Sequence, residues 1–196
     1  MCQIRTTFQA RIPPIVARPA PLFGKAYIDT MFMPPANGYK YLVQARCSLS
    51  HWPEFRMLRA ETGKALGDFI FEEILCRWGG LDTIVTDNGK PFIAAMEYLA
   101  KRYHIQHIRI SGYNSRANGL VERPHYDVRQ SLFKAADGEQ SKWWKYTSEV
   151  FWAERITIRQ KMGCSPYFVV TGTEPLMPFD IVEATYLLDP PDKVLS

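Results

Sequence analysis

The chain has 196 residues, of which 46% are apolar and 22% are charged, and its formal net charge is +4. This composition fits one globular domain with short tails and excludes a disordered or collagen-like chain. No apolar run reaches the roughly 18 to 20 residues of a transmembrane helix, and the N-terminus lacks a signal-peptide pattern, so we expect an intracellular protein without a membrane partner.

The cysteines form no recognisable framework. Cys2, Cys47, Cys76 and Cys164 are scattered along the chain without a CxxC pair, whereas disulfide-bonded domains and structural zinc sites use several cysteines at characteristic spacings. We therefore expect reduced thiols, most of them buried, and no zinc site.

Positive charge is concentrated in two zones. Residues 1–25 contain four Lys and Arg and no acidic residue, and residues 101–134 contain seven Lys and Arg against two acidic residues. Clustered cations neutralise the phosphates of nucleic acids, but a solvated basic face explains the charge equally well.

The first part of the chain predicts an extended lead-in followed by antiparallel strands. Residues 1–22 contain four prolines and no helical period. Two strand-like segments at residues 26–33 and 39–47 flank a Pro-Pro-Ala-Asn-Gly turn, and a third at about 54–58 completes a meander.

In the remainder, apolar residues at helical spacing alternate with short strand-like segments. Helices are predicted at residues 62–78, 92–103, 118–135 and 142–162, and strands at 82–86 and 107–110. Thr62 is the expected cap of the first helix, and Pro124 is expected to kink the third. The fourth helix is expected to turn Trp144, Thr147, Phe151, Ile158 and Met162 inward. Together these elements predict a mixed sheet covered by helices.

Three acidic residues occupy positions where a carboxylate is unusual. Asp29 interrupts an apolar strand, Asp87 follows a buried strand, and Glu122 lies in the early turns of a helix after a basic, glycine-containing loop. Converging carboxylates would repel one another unless a cation such as Mg²⁺ bound them. An edge charge, a turn former and a helix-terminal charge explain the same residues, and position alone leaves both interpretations open.

Four segments occur in the order found in the catalytic cores of retroelement and retroviral integrases of the Asp-Asp-Glu type. They are AYIDTMF around Asp29, IVTDNGKPF around Asp87, YNSRANGLVER around Glu122, and GCSPYFVVTGTEPLMP at residues 163–178. The chain resembles this family over roughly residues 20–180, and most of all the integrases of Ty3/gypsy long-terminal-repeat retrotransposons. The resemblance implies an RNase H-like fold with a five-stranded mixed sheet flanked by helices.

The resemblance also implies a site and an activity. Asp29, Asp87 and Glu122 would be the catalytic residues and the ligands of Mg²⁺ or Mn²⁺, with two ions expected. The activity implied is a metal-dependent polynucleotidyl transferase that processes retroelement DNA ends and joins their 3′-hydroxyls to target DNA. Retroelement terminal DNA, target DNA and further copies of the chain, in a homodimer or larger assembly, would be the partners. The implied location is the nucleus, after a cytoplasmic virus-like particle.

Some segments depart from the family pattern. Residues 111–119 read SGYNSRANG, where the family usually has a sequence closer to SPYHPQTNG, and Pro124 follows the Glu122-Arg123 pair. These departures remove no expected metal ligand but leave the detailed DNA contacts open. The expected DNA-binding residues are Lys90, Asn114, Ser115, Arg116, Asn118 and Arg123. For each of them alone, an ordinary surface role is nearly as good an interpretation.

The resemblance divides the chain into three parts. Met1-Cys2-Gln3 resembles the end of the family's zinc domain, so residues 1–22 are expected to be a linker with a remnant of that domain. Residues 23–172 would form the catalytic core and residues 173–196 a C-terminal extension. His104, His107 and His125 are interpreted as surface or packing residues, and most tryptophans as core, although Trp143 or Trp144 is a candidate for a subunit interface.

Two other functions fit the same fold. A catalytically idle DNA-binding or assembly module derived from an integrase would keep the fold without turnover, but the intact set of three carboxylates favours an enzyme. A nuclease such as an RNase H is a second alternative, although the YNSRANGLVER and SPYFVVTG segments do not belong to that class.

Overall fold

The computed structural model describes residues 21–87, 89–110 and 122–177, without the side chains of residues 100 and 122–125. Five strands form one mixed sheet in the order β3-β2-β1-β4-β5, and helices pack against both faces. This architecture confirms the predicted fold class. Within the described ranges, no helix is long and apolar enough to cross a membrane.

The strands follow the predicted order, with small changes at their ends. They are β1 (Lys25–Ala36), β2 (Tyr39–Cys47), β3 (Pro53–Leu58), β4 (Thr83–Thr86) and β5 (Gln106–Arg109). β1 and β2 form a hairpin whose turn residues Asn37 and Gly38 both have positive φ, 49° and 81°, as a tight hairpin turn requires. β1 is longer than predicted because a register shift between Phe32 and Ala36 accommodates its two prolines.

Antiparallel and parallel pairings meet at β1. β1 and β2 pair antiparallel, as do β2 and β3, whereas β1 and β4 pair parallel, as do β4 and β5. β1 is therefore the strand between the meander and the parallel part of the sheet.

The helices include several short segments. They are α1 (Gly63–Phe69), α2 (Cys76–Trp78), α3 (Lys90–Tyr103), α4 (Glu122–Ala135), α5 (Thr147–Ile156) and α6 (Pro166–Thr171). The predicted helix 62–78 is confirmed as α1 and α2 joined by a π-helical segment, Ile70–Leu75. Thr62 caps it as expected, because its side chain accepts a hydrogen bond from the Ala65 N–H. Gly79 ends it in the left-handed conformation.

The predicted helix 142–162 is wrong in its extent. Residues Gln140–Lys145 form a 3-10 helix, and α5 ends at Ile156 because Thr157 is extended. A 3-10 turn holds three residues instead of 3.6, so the helical phase shifts at this junction. As a result Trp143, and not Trp144, is fully buried, and Ile158 is 65% exposed.

Trp143 is fixed in the core by its indole, whose Nε1 donates to the Pro34 carbonyl oxygen at 2.8 Å. Thr147 and Phe151 are buried as predicted. Trp143 therefore does not present a free surface for a subunit interface, and Trp144 is partly buried against the same cluster.

The predicted helix 118–135 is confirmed where the structure describes it, as α4 from Glu122 to Ala135. Residues 118–121 lie outside the described residues. They include Leu120, whose carbonyl oxygen Pro124 would leave without a hydrogen-bond donor. The expected kink at Pro124 therefore stays a prediction.

Two apolar clusters cover the two faces of the sheet. The first combines α1, the π-helical segment and α3 with strand residues that include Ala26, Ile28, Val43, Ala45 and Ile84. The second combines α4, the 3-10 helix and α5 with strand residues Met31, Met33 and Leu42. Because side chains alternate along a strand, Asp29 shares the face of Met31 and Met33, which is the face that α4 covers.

The predicted linker and C-terminal extension stay predictions, whereas the structure tests the prediction that the thiols are mostly buried. Residues 1–20 and 178–196, with most of the predicted linker and C-terminal extension, lie outside the described residues. The three described cysteines are free, but only Cys47 is buried, whereas Cys76 is exposed and Cys164 is half-buried. The expectation of mostly buried thiols is wrong for these three, because Cys76 lies on the outer side of its helix.

Candidate active site

Asp29 lies in β1, and Asp87 directly follows β4, the parallel neighbour of β1. β1 and β4 are registered at Lys25 with Thr83, Ala26 with Ile84, and Tyr27 with Val85. Asp29 and Asp87 each lie two residues beyond the last of these pairs. Neighbouring strands lie about 4.8 Å apart, so the backbones of β1 and β4 are close together two residues before both aspartates.

The Asp87 backbone is fixed by a short hydrogen-bond network. The Gly89 N–H donates to Asp87 Oδ1 at 3.0 Å, which closes a tight turn before α3. Thr86 Oγ1 donates to the Asp87 carbonyl oxygen at 2.7 Å. The Asp87 side chain is exposed, so the turn presents one carboxylate oxygen to solvent beside the first turn of α3.

His107 supports this turn from β5. Its Nε2 lies 2.8 Å from Thr86 Oγ1, and since that hydroxyl already donates to Asp87, the imidazole is assigned as the donor. Burial and the nearby Arg109 lower the pKa of His107, which favours the neutral ring. The prediction of a packing histidine is confirmed, and its link to Asp87 is a feature that sequence pattern did not indicate.

Asp29 is half-buried in the middle of β1. Its Oδ1 accepts a hydrogen bond from the Thr30 N–H at 2.7 Å. This local contact orients the carboxylate on the face of the sheet that α4 covers. Asp29 is therefore the more enclosed of the two aspartates and Asp87 the more exposed.

Glu122 is the first described residue of α4, and its side chain is not described. α4 packs over the relevant face of the sheet, since Val128 and Leu132 join Met31 and Met33 in one cluster. The helix that carries Glu122 is therefore anchored on the side of the sheet where Asp29 lies. No group of three potential metal-binding side chains is found among the described residues, a set that does not include the Glu122 side chain.

The donor set fits a hard divalent cation. Two carboxylates on adjacent strands offer oxygen ligands while leaving coordination positions for water or phosphate, which is the arrangement that Mg²⁺ prefers. The turn at Asp87 also leaves that carboxylate open to solvent. Asp29 and Asp87 thus offer the oxygen donors that a hard divalent cation prefers, as does the carboxylate type of Glu122.

Of the predicted DNA-binding residues, Lys90 is the one whose side chain the structure describes. It is the first residue of α3 and is exposed, three residues after Asp87. Asn114, Ser115, Arg116 and Asn118 lie outside the described residues, and Arg123 is described in its backbone alone. Lys90 therefore exposes a cation at the start of α3, directly after the turn that contains Asp87.

A buried polar layer next to Asp29 was not predicted. Gln44 lies directly opposite Asp29 in the β1–β2 pairing and is 2% exposed. Arg46, two residues further along the same face of β2, is 6% exposed and forms an ion pair with Glu154 of α5 at 2.9 Å. Glu154 also pairs with Arg159 at 2.6 Å. Sequence alternation alone would have placed apolar residues at these inward positions.

The electrostatics of this layer reflect both burial and pairing. Burial alone would raise the pKa of Glu154, but the charges and hydrogen bonds of Arg46 and Arg159 outweigh it and hold the pKa below its ordinary value. Burial, with Arg159, Arg46 and Lys161, lowers the pKa of the neighbouring His51. Within this layer, Arg46 and Arg159 share the carboxylate of Glu154.

Comparison with known sequences finds retroviral polyproteins. The chain is 28% identical over 147 residues to the Pol polyprotein of feline endogenous virus ECE1, covering 74% of this chain and 14% of the relative. It is 28% identical over 167 residues to the Gag-Pol polyprotein of gibbon ape leukemia virus, covering 85% and 10%. It is 30% identical over 142 residues to that of walleye dermal sarcoma virus, covering 71% and 8%. The chain thus spans a small part of each relative's length, and no protein-family model matches it.

Comparison with solved structures finds integrases. The catalytic core domain of BIV integrase superposes with a TM-score of 0.60 at 21% identity, covering 84% of this chain and 99% of that one. A simian T-cell lymphotropic virus intasome superposes with a TM-score of 0.67 at 16% identity, covering 91% and 62%. At these identities the likeness establishes the fold. The sequence relatives and the structural neighbours together support a retrovirus-like integrase catalytic core domain with an RNase H-like fold.

Proposed function

We propose that the chain is the catalytic core of a polynucleotidyl transferase that processes the DNA ends of a retroelement and joins their 3′-hydroxyls to target DNA. The observation that carries the proposal is the parallel register of β1 and β4, whose last pair, Tyr27 and Val85, lies two residues before Asp29 and Asp87. The similarity to retroviral Pol polyproteins and to integrase structures supports it.

In this proposal Asp29 and Asp87 hold the divalent cations between them, and Glu122 of α4 completes the ligand set. Two bound Mg²⁺ or Mn²⁺ ions would supply activation of the attacking oxygen and charge stabilisation of the leaving oxygen at phosphorus. Asp29, partly enclosed and held by the Thr30 N–H, provides the fixed side of the site. Asp87, exposed at its turn, provides the side open to substrate.

The residues around the carboxylates would position the DNA. Lys90 at the start of α3 places a cation and the positive end of the helix dipole close to Asp87, where a backbone phosphate binds favourably. The same DNA is proposed to contact residues of the segment before α4 and of its first turn, namely Asn114, Ser115, Arg116, Asn118 and Arg123. This arrangement predicts binding that weakens as the salt concentration rises.

The same proposal includes an assembly and a location. One of the structural neighbours is an intasome, and we propose that this chain likewise acts in a multimeric complex with retroelement terminal DNA and target DNA. The integration reaction would take place in the nucleus.

The test is strand cleavage and joining on a branched DNA substrate with Mg²⁺ or Mn²⁺. The parent chain should give metal-dependent joined product, and Asp87→Asn and Glu122→Gln should each abolish it. Asp82→Asn is the control for the first variant, since Asp82 is an exposed aspartate just before β4, and Glu149→Gln is the control for the second, since Glu149 is an exposed residue in the first turn of α5.

The outcomes separate the enzyme from a binding module. Joined product in the parent and both controls, but in neither test variant, supports the transferase. Full activity in Asp87→Asn or Glu122→Gln contradicts the assignment of that carboxylate. Salt-sensitive DNA binding without product, even after integrase N- and C-terminal domains are supplied, favours the idle DNA-binding module.

A further inference from the structure

The polar layer beside Asp29 contains an unsatisfied set of hydrogen-bonding atoms. Gln44 is 2% exposed, and neither its Nε2 nor its Oε1 has a hydrogen-bond partner. The Nε of Arg46 is likewise buried and without a partner. Buried polar groups in folded proteins almost always have partners, so three such atoms on one face of one strand call for an explanation.

The positions of these atoms are complementary. Gln44 is the direct cross-strand neighbour of Asp29, and the Cβ atoms of such neighbours lie about 5 Å apart. Gln44 and Arg46 are two residues apart on β2, so both side chains point to the face of Asp29. Along this face the groups alternate in character: an Arg N–H donor, an amide acceptor, an amide donor and a carboxylate acceptor.

We propose that Gln44 is a positioning residue for Asp29: its Nε2 donates to the Asp29 carboxylate while its Oε1 accepts a hydrogen bond from Arg46 Nε. The backbone register already places Gln44 opposite Asp29, and Arg46 lies two residues away on the same face of β2. The Thr30 N–H occupies one lone pair of Asp29 Oδ1, and a carboxylate has capacity for further donors.

The chain of hydrogen bonds would extend to α5. The other end of the Arg46 guanidinium donates from Nη2 to Glu154 Oε2 at 2.9 Å. Glu154 in turn holds Arg159, whose Nη2 lies 2.6 Å from the same oxygen. A buried path of side chains therefore connects the candidate metal ligand on β1 with the helix on the far side of β2, and it restricts the rotation of Asp29 before any cation binds.

This inference rests on the proposed function where it concerns the metal, but the contact itself can be tested without metal. The readout is the side-chain amide signal of Gln44 in ¹H–¹⁵N NMR spectra of the metal-free chain, assigned by its loss in Gln44→Met. A hydrogen bond to the carboxylate predicts a downfield amide proton that moves upfield in Asp29→Ala. An amide signal at the position of a free glutamine, unchanged by Asp29→Ala, overturns the proposal.

The second readout is Mn²⁺ affinity, measured by calorimetry. Gln44→Met keeps the length and flexibility of the side chain and removes its polar atoms, so folding should persist. Replacing a group that orients a metal ligand typically costs about 10-fold or more in affinity, and we expect a loss of that size. The matched control is Leu42→Met, on the same face of β2 but opposite Met31, which should bind Mn²⁺ as the parent does.

The two readouts distinguish failure of this inference from failure of the proposed function. If the Gln44 amide responds to Asp29→Ala but the parent binds no Mn²⁺, the positioning contact stands and the metal-dependent function is contradicted. If the parent binds Mn²⁺ and Gln44→Met binds it equally well, the positioning role is overturned and the metal site stands. Urea unfolding of each variant verifies that all of them are folded during both measurements.

Discussion

Asp29 and Asp87 each lie two residues beyond Tyr27 and Val85, the last registered pair of the parallel strands β1 and β4. They differ in environment, because Asp29 is half-buried within a strand and Asp87 is exposed in a turn. A site with one enclosed and one open carboxylate can fix a cation on one side and admit a substrate phosphate on the other.

Asp87→Asn should separate function from stability. An asparagine Oδ1 can still accept from the Gly89 N–H, and the side chain is exposed, so the free energy of unfolding should change by less than about 0.5 kcal/mol. The loss of one carboxylate ligand should nevertheless abolish Mn²⁺ binding at this site. Urea unfolding and calorimetric Mn²⁺ titration measure the two effects, with Asp82→Asn as control. A large loss of stability would show that Asp87 has a mainly structural role.

Trp143→Phe tests the core on the α4 side of the sheet. The change removes the hydrogen bond to the Pro34 carbonyl oxygen and part of a completely buried ring. A partly buried carbonyl without its donor and a partial cavity should together cost about 2 kcal/mol. Trp144→Phe, at a partly buried neighbouring position, is the control and should cost less. Equal effects at the two positions would contradict the assignment of Trp143 as the core residue.

The sequence predicts the features of this fold that depend on a few neighbouring residues better than those that depend on a change in helix geometry. The succession of strands along the chain and the hairpin at Asn37 and Gly38 follow from patterns confined to a few residues, and the structure confirms them. The predicted extent of the last long helix was wrong because a 3-10 helix precedes α5 and has three residues per turn. A search for a constant spacing of about 3.6 residues does not detect this change.

The residues of the candidate site likewise differ in whether a local sequence pattern points to them. Asp29 and Asp87 were candidates because a carboxylate in or after an apolar strand breaks a local pattern, and the family resemblance then favoured a metal-binding role over an ordinary one. Gln44 and Arg46 lie in an equally apolar strand, but their importance comes from the cross-strand register and from Glu154, which is 108 residues away from Arg46. Partners at such separations are set by tertiary packing, so single-sequence patterns do not identify them.

His51 predicts a pH dependence of stability. Burial and the positive charges of Arg159, Arg46 and Lys161 lower its pKa, so below the ordinary value of about 6.5 the unfolded chain binds a proton more readily than the folded chain. The contribution of His51 to stability is therefore present above that pH and is lost as the pH falls through the lower folded pKa.

His51→Asn should remove this part of the pH dependence. The residue has φ of 57°, a left-handed conformation that asparagine tolerates. The free energy of unfolding of the variant, relative to the parent, should therefore increase as the pH falls from 7 to 5. Urea unfolding across that range measures it, and His104→Asn, with φ of 55°, controls for asparagine in the same backbone conformation. A difference independent of pH would contradict the prediction.

Gly63 and Gly67 of α1 should respond in opposite directions to alanine. A Cβ at Gly67 meets no atom within 4 Å, so Gly67→Ala should stabilise the helix by up to about 1 kcal/mol. A Cβ at Gly63 would lie 2.8 Å from the Ala94 Cβ, so Gly63→Ala should push α1 away from α3 and reduce stability. Thermal unfolding compares the two variants directly. If both changes stabilised the chain, the close packing of α1 against α3 would be contradicted.

The ion pair between Arg46 and Glu154 should show strong coupling in a double-mutant cycle. Glu154→Leu leaves the buried Arg46 without its anion, which should cost about 3 kcal/mol or more, because an uncompensated buried charge is unfavourable. Arg46→Met should cost less, because Glu154 keeps its pair with Arg159. Adding Arg46→Met to Glu154→Leu removes the unpaired charge, so the double variant should be more stable than Glu154→Leu alone. Additive losses in urea unfolding would show instead that water already solvates Arg46, and that its burial contributes little to the coupling between β2 and α5.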